Sequence, residues 1–141
     1  SGMAYASQVA VETLAMEASG EGKAGMIAVG EVIRNRSRIE RRTFEEVCMR
    51  PYQFSCWNSL EWAKEWKKRH LNQEVFNKAN KSWIESGHTS MVNGATHYHT
   101  LNTKPYWHNK LLKVGVVGNH CFHVESKKPS RYPSDSILCA A

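Results

Sequence analysis

Apolar and polar positions divide the chain into a helical stretch and a shorter stretch of a different texture. Val9, Leu14 and Met16 predict a first helix, capped by Ser7 and reaching about Glu17. The run Ala18-Ser19-Gly20-Glu21-Gly22 interrupts it, because two glycines within three residues suit a turn. Met26, Val29, Val32 and Ile33 then recur at i, i+3, i+6 and i+7 and predict a second helix over 23–38. Gly30 lies inside it at a cost of up to about 1 kcal/mol relative to Ala, which implies close packing at that point. Thr43-Phe44-Glu45-Glu46 is a capping box, and the short helix after it ends before Pro51. Ser59 caps a helix with Trp62 and Trp66 one turn apart. Asn72 caps another that carries Val75, Phe76, Ala79 and Trp83 and stops at Gly87. The aromatic residues of both helices are assigned to the core.

After Gly94 the helical spacing is lost. Short apolar and β-branched runs at 95–101, 111–117 and 121–124 are punctuated by Asn102, Pro105, Gly115 and Gly118. They predict two or three short strands or irregular loops. The fold class is therefore α+β, mainly helical, with a small β-hairpin region. Residues 127–141, with Pro129 and Pro133, read as a loosely packed tail. Ser1 and Gly2 read as the remnant of an expression tag before Met3, which leaves 3–126 as the folded domain.

Composition sharpens this picture. At 141 residues the chain has room for one domain. Its net charge of +6 suits an anionic polymer such as a bacterial wall, a nucleic acid or an acidic membrane surface. No apolar run approaches the ~20 residues of a membrane helix, so stable membrane insertion is not expected. The acidic residues are twelve Glu and a single Asp, Asp135, which disfavours calcium loops and most Asp-based magnesium sites. Four cysteines, at 48, 56, 121 and 139, form no CxxC pair. Cys48 and Cys56 lie near enough in the chain to bridge; the alternative is thiols in a reducing compartment. No basic stretch followed by an apolar run marks a secretory signal.

Three constellations can carry chemistry. Glu17 stands in the last turn of an apolar helix, before the glycine turn that holds Glu21. Burial and the negative helix end both raise a carboxyl pKa there and keep a proton available for donation. Gln53-Phe54-Ser55-Cys56-Trp57-Asn58 gathers amides, a hydroxyl and aromatic faces, the groups that hydrogen-bond and stack on an amino sugar. Five of the seven histidines lie at 97, 99, 108, 120 and 123. His97 and His99 share one side of a strand and, with His120 or His123, would supply the three imidazoles of a catalytic zinc site. The sequence lacks HExxH, and the same imidazoles can hydrogen-bond a substrate instead, so no metal and no cofactor is expected.

Taken in order, these segments resemble the SleB-type family of cell wall hydrolases, the spore-cortex lytic enzymes, which also occurs in bacteriophages. The matching stretches are LAMEASGEGKAGMIAVGEVIRNRSR at 14–38, FEEVCMRPYQFSCWN at 44–58, ATHYHTLNTKPYWHNK at 95–110 and VGNHCFHVE at 117–125. The resemblance implies a lysozyme-like, lytic-transglycosylase-like domain that cuts the β-1,4 bond between N-acetylmuramic acid and N-acetylglucosamine in peptidoglycan. It places the catalytic Glu on Glu17 and the cleft loop on Gln53, Phe54 and Ser55, with Ser55 orienting Glu17. His97, Tyr98, His99, His120 and Glu21 are the further expected substrate contacts. Family members often carry tyrosine where His97 and His99 stand.

The expected partner is the glycan strand of peptidoglycan, bound by a monomer. The expected outcome is a 1,6-anhydro end formed by one Glu; the alternatives are a hydrolytic N-acetylmuramidase and a zinc-dependent wall amidase built on the histidines. A nucleic-acid partner is not expected, since no helix-turn-helix, RNP or OB pattern accompanies the basic charge. The expected place of action is the bacterial wall, reached without a signal peptide, as for a phage endolysin released through a holin.

Overall fold

The computed structural model describes residues 8–125. Ser7, the tag remnant, the 127–141 tail and Cys139 lie outside the described residues. Five helices precede a three-stranded sheet: α1 (Gln8–Ala18), α2 (Gly22–Glu40), α3 (Phe44–Met49), α4 (Leu60–His70), α5 (Gln73–Ser86), β1 (His97–Thr100), β2 (Leu112–Val117) and β3 (His120–Val124). A single 3-10 turn, Ser19–Glu21, replaces the glycine break between α1 and α2. The caps at Thr43, Ser59 and Asn72 are those the sequence predicts. Thr43 and Glu46 close a reciprocal capping box, and the Ser59 and Asn72 side chains accept from the Trp62 and Val75 N–H groups.

The core lies between α1, α2 and α5. Leu14, Val29, Val32 and Ile33 are fully buried there, with Ala79 and Trp83 from α5. Gly30 is the contact point of α2 and α5: a Cβ on it would lie 2.7 Å from the Ser86 hydroxyl. Beside it the Arg34 guanidinium lies over the Trp83 ring and donates to the Ser86 hydroxyl and the Trp83 carbonyl. Trp62 departs from its core assignment. It is 49% exposed, whereas Trp66 packs partly buried against the core. The two lie one turn apart on the same stripe of α4 and differ in how deeply each is buried.

A polar stripe on α2 receives the chain that leads into the sheet. The buried Glu31 carboxylate accepts from the Thr89 hydroxyl and from the Met91 and Val92 N–H groups, both at 3.0 Å. One turn on, the Asn35 amide donates to the Ala95 carbonyl at 2.9 Å, and Arg36 donates to the Thr96 carbonyl at 3.2 Å. These bonds satisfy backbone groups that a buried loop would otherwise strand.

The sheet is antiparallel in the order β1-β3-β2. Its register pairs His97 with His123, Tyr98 with Phe122, His99 with Cys121 and Thr100 with His120. Directly opposed residues share a face and neighbours alternate. One face therefore carries Tyr98, His120 and Phe122. The other carries His97, His99, Cys121 and His123.

Candidate active site

Glu17 reaches the surface where α1 ends, between the 53–58 loop and the near face of the sheet. The loop is held on α1 by the Trp57 indole, which donates to Thr13 at 2.8 Å. Trp57 is half-buried and its loop neighbour Phe54 fully so, as an aromatic loop beside a helix requires. The Tyr98 hydroxyl donates to one Glu17 carboxylate oxygen at 2.7 Å, and the Ser55 hydroxyl to the other at 3.4 Å. Cys56 adds hydrogen bonds from its thiol and its backbone.

Burial pushes the Glu17 carboxyl above its ordinary range, and the bonds from Tyr98, Cys56 and Ser55 only partly oppose that. Desolvation and the Glu17 charge also drive the Cys56 thiol far up, so it stays protonated and acts as a donor. What results is a carboxyl that keeps its proton to higher pH than an ordinary glutamate while its oxygens are held in place. Such a group can give a proton to a leaving oxygen and take one back.

Behind Tyr98 stands His120, with ring centroids 4.9 Å apart. Burial lowers the His120 pKa, and the nearby Glu21 carboxylate counters it. The His120 Nδ1 lies 3.7 Å from a Glu21 oxygen, beyond hydrogen-bond range. That same oxygen accepts from the Asn119 N–H at 2.8 Å. Glu21 thus ties the turn after α1 to the tip of the β2–β3 hairpin.

The residues singled out from the sequence separate into groups. Glu17, Ser55, Tyr98 and His120 come together. Phe54 has no exposed surface and packs behind Tyr98 at 6.3 Å between ring centroids, so it supports the site from beneath. Gln53 is also fully buried, and neither atom of its amide has a hydrogen-bond partner among the described residues.

His97 and His99 are not brought to Glu17. The alternation of β1 sends them to the far face, where the Trp107 ring covers both at 5.2 and 5.6 Å. His97 is engaged there by the Thr96 hydroxyl at 2.7 Å and by Arg36 at 3.4 Å. Of the two three-imidazole sets suggested by spacing, the one with His120 is split because His120 faces the opposite way from His97 and His99; His123 shares their face and meets His99 at 3.0 Å, while His97 is engaged by Thr96 and Arg36. Cys48 and Cys56 are both buried thiols rather than a bridged pair.

The bonds from Cys56 and Tyr98 to Glu17 do not follow from the sequence motifs. The signal for Tyr98 was present: if two imidazoles flank it on one side of a strand, its own side chain must project from the other. Nothing in the sequence marked Cys56 as a partner of a carboxyl 39 residues away.

The family profile described as Cell Wall Hydrolase matches residues 20–123. No curated protein sequence matches the chain. Among solved structures, the fold is similar to the catalytic domain of the germination-specific lytic transglycosylase SleB from Bacillus anthracis. That similarity has a TM-score of 0.67 at 20% identity over 84% of this chain and 93% of that one.

Proposed function

The chain belongs to the cell wall hydrolase family, and we propose that it cleaves the MurNAc-β-1,4-GlcNAc bond of peptidoglycan as a lytic transglycosylase, with Glu17 as its single acid–base group. One observation carries the reading: the Glu17 carboxyl is desolvated and held by Tyr98, Ser55 and Cys56, none of them acidic.

A hydrolysing glycosidase of the usual kind needs two carboxylates flanking the bond. Glu21 is the nearest in sequence, and it is committed to the hairpin tip. A transglycosylase needs only one. Protonated Glu17 donates to the glycosidic oxygen as that bond breaks, and the substrate's 2-acetamido group stabilises the oxocarbenium-like centre. Glu17, now a carboxylate, takes the proton of the muramic 6-hydroxyl as its oxygen closes on C1. The carboxyl ends the cycle protonated. An internal nucleophile has a high effective molarity, worth up to about 7–11 kcal/mol in favourable geometries.

Tyr98 and Ser55 hold the carboxylate for the second step. The buried amide of Gln53 and the neutral imidazole of His120 are the groups proposed to face the sugar once it is bound. The fold similarity to a protein titled a lytic transglycosylase supports this outcome, and the charge of +6 suits an anionic wall. The proposed place of action is the periplasmic or outer side of a bacterial membrane. Among the described residues no helix is long and apolar enough to cross one.

The test is product analysis of digested peptidoglycan by mass spectrometry in water enriched in the heavy oxygen isotope. Anhydro-muramic ends without heavy oxygen are expected. Reducing ends carrying the label would overturn transglycosylation in favour of an N-acetylmuramidase. Stem peptides released from intact glycan would overturn glycan cleavage in favour of an amidase.

A further inference from the structure

The far face of the sheet holds a cluster that the proposed chemistry does not use. His99 on β1 and Cys121 and His123 on β3 are all buried, and their ligand atoms lie within 4.8 Å of one another. The two imidazoles meet through Nε2 at 3.0 Å, and the Cys121 sulfur lies 3.4 Å from the His123 Nε2.

Each ring is fixed from behind. The His99 Nδ1 faces the Thr100 carbonyl at 2.8 Å, and the His123 Nδ1 faces the Leu111 carbonyl at 3.3 Å. A carbonyl only accepts, so each Nδ1 carries the proton and each Nε2 of a neutral ring presents a lone pair. Two lone pairs and a sulfur then converge with only the weak S–H donor of Cys121 between them. A cation removes that conflict, and a carbonyl holding the remote ring N–H is the usual outer support of a metal-bound histidine.

The dimensions are close to what zinc requires. Tetrahedral bonds of about 2.0–2.1 Å to nitrogen and 2.3 Å to sulfur put ligand nitrogens about 3.3 Å apart and nitrogen and sulfur about 3.6 Å apart. The observed 3.0 and 3.4 Å need only a few tenths of an ångström of opening, and the third edge, from His99 to Cys121, lies within 4.8 Å. A thiolate with two imidazoles favours zinc and similar transition ions over calcium or magnesium.

We propose that His99, Cys121 and His123 form a zinc-type metal site that clips β1 to β3 on the side of the sheet away from Glu17. The site departs from the expectation of no metal, and also from the histidine set that spacing alone suggested, since it uses Cys121 and omits His97 and His120. Binding deprotonates the Cys121 thiol, and that proton passes to solvent as the zinc–sulfur bond forms. The role is structural. Metal binding to the native state raises stability by mass action and locks the strand that carries Tyr98.

The test starts from chain stripped of metal with a chelator and desalted. Zinc, and cobalt(II) as its coloured probe, are then titrated into the wild type and into Cys121→Ser and His99→Gln. One equivalent per chain is expected, with a thiolate-to-cobalt charge-transfer band in the near ultraviolet and a zinc-dependent rise in Tm of several degrees. Cys121→Ser should lose the band, and His99→Gln should bind at least tenfold more weakly. Should either variant fail to fold, the wild-type stoichiometry and band still decide. Less than one-tenth of an equivalent in the wild type would overturn the site and leave the two imidazoles sharing a proton. A cobalt spectrum unchanged by both substitutions would overturn it equally. Neither readout involves peptidoglycan, so the outcome is independent of the proposed activity.

Discussion

The two faces of the small sheet are built from much the same residue types and do different work. Tyr98 and His99 are neighbours on β1, and His120 and Cys121 are neighbours on β3. On the near face Tyr98 is bonded to a helix-borne carboxyl, and His120 stands between Tyr98 and Glu21. On the far face His97 is consumed by Thr96 and Arg36, while His99 and His123 turn their lone pairs on each other beneath Trp107. Histidine content alone therefore says little about chemistry here. The period of two decides which imidazole meets the carboxyl and which is packed away.

Substitutions on the two faces should separate chemistry from stability, and the largest effect belongs to the carboxyl itself. Glu17→Gln is expected to lower turnover by at least ~10²–10⁴-fold, the usual scale of general acid–base help, as read by clearing of purified peptidoglycan. The same change should stabilise the fold near neutral pH. The Glu17 pKa is raised in the native state, so the wild type is relatively most stable below the ordinary value of 4.5 and loses that margin as pH rises through the folded-state pKa. The variant's gain in Tm should therefore shrink toward pH 4. A Gln variant that still clears the wall would remove Glu17 as the acid.

Tyr98→Phe comes next. It deletes a donor that favours the carboxylate, so the Glu17 pKa should rise further and the alkaline limb of the pH–rate profile should move to higher pH. Peak turnover should fall about tenfold, on the scale of a hydrogen bond to a charged group. An unmoved profile would mean that this bond does not act on the carboxyl.

His97→Leu, one residue away, should reverse that pattern. Loss of its bonds to Thr96 and Arg36 is expected to cost about 1–3 kcal/mol of stability in denaturant unfolding, with turnover per folded molecule unchanged. A selective rise in KM with stability intact would instead return His97 to the substrate. Glu21→Gln should do least. The amide oxygen still accepts from the Asn119 N–H, and exchanging a charge-assisted bond for a neutral one costs about 1 kcal/mol, so turnover should change by less than about tenfold. A loss equal to that of Glu17→Gln would mean that two carboxylates are required.

The helical part of the fold was readable because its signals are local. Thr43, Ser59 and Asn72 each cap the helix that follows within three residues, and Gly30 marks the close approach of α5 from within its own helix. Trp62 departs from its core assignment because periodicity shows that two aromatics share a stripe but not how deeply each is buried. The site was half legible. Glu17 announced itself by its place at a helix end, and the 53–55 loop by its composition. The pairings were not legible, because they join residues far apart in the chain: Tyr98 to Glu17 across 81 positions and Asn119 to Glu21 across 98. Local patterning gives no account of such contacts, and only the strand register assigns the histidines.

The ladder of Glu31, Asn35 and Arg36 along α2 has a further consequence. It grips residues 89–92, then 95, then 96, so the helix fixes the parity with which the chain enters β1. One residue inserted between Val92 and Ala95 would leave the Glu31 grip in place, push the later rungs out of step and rotate Tyr98 to the side now held by the histidines. Length variation in this connection should therefore be tolerated only in twos, or not at all.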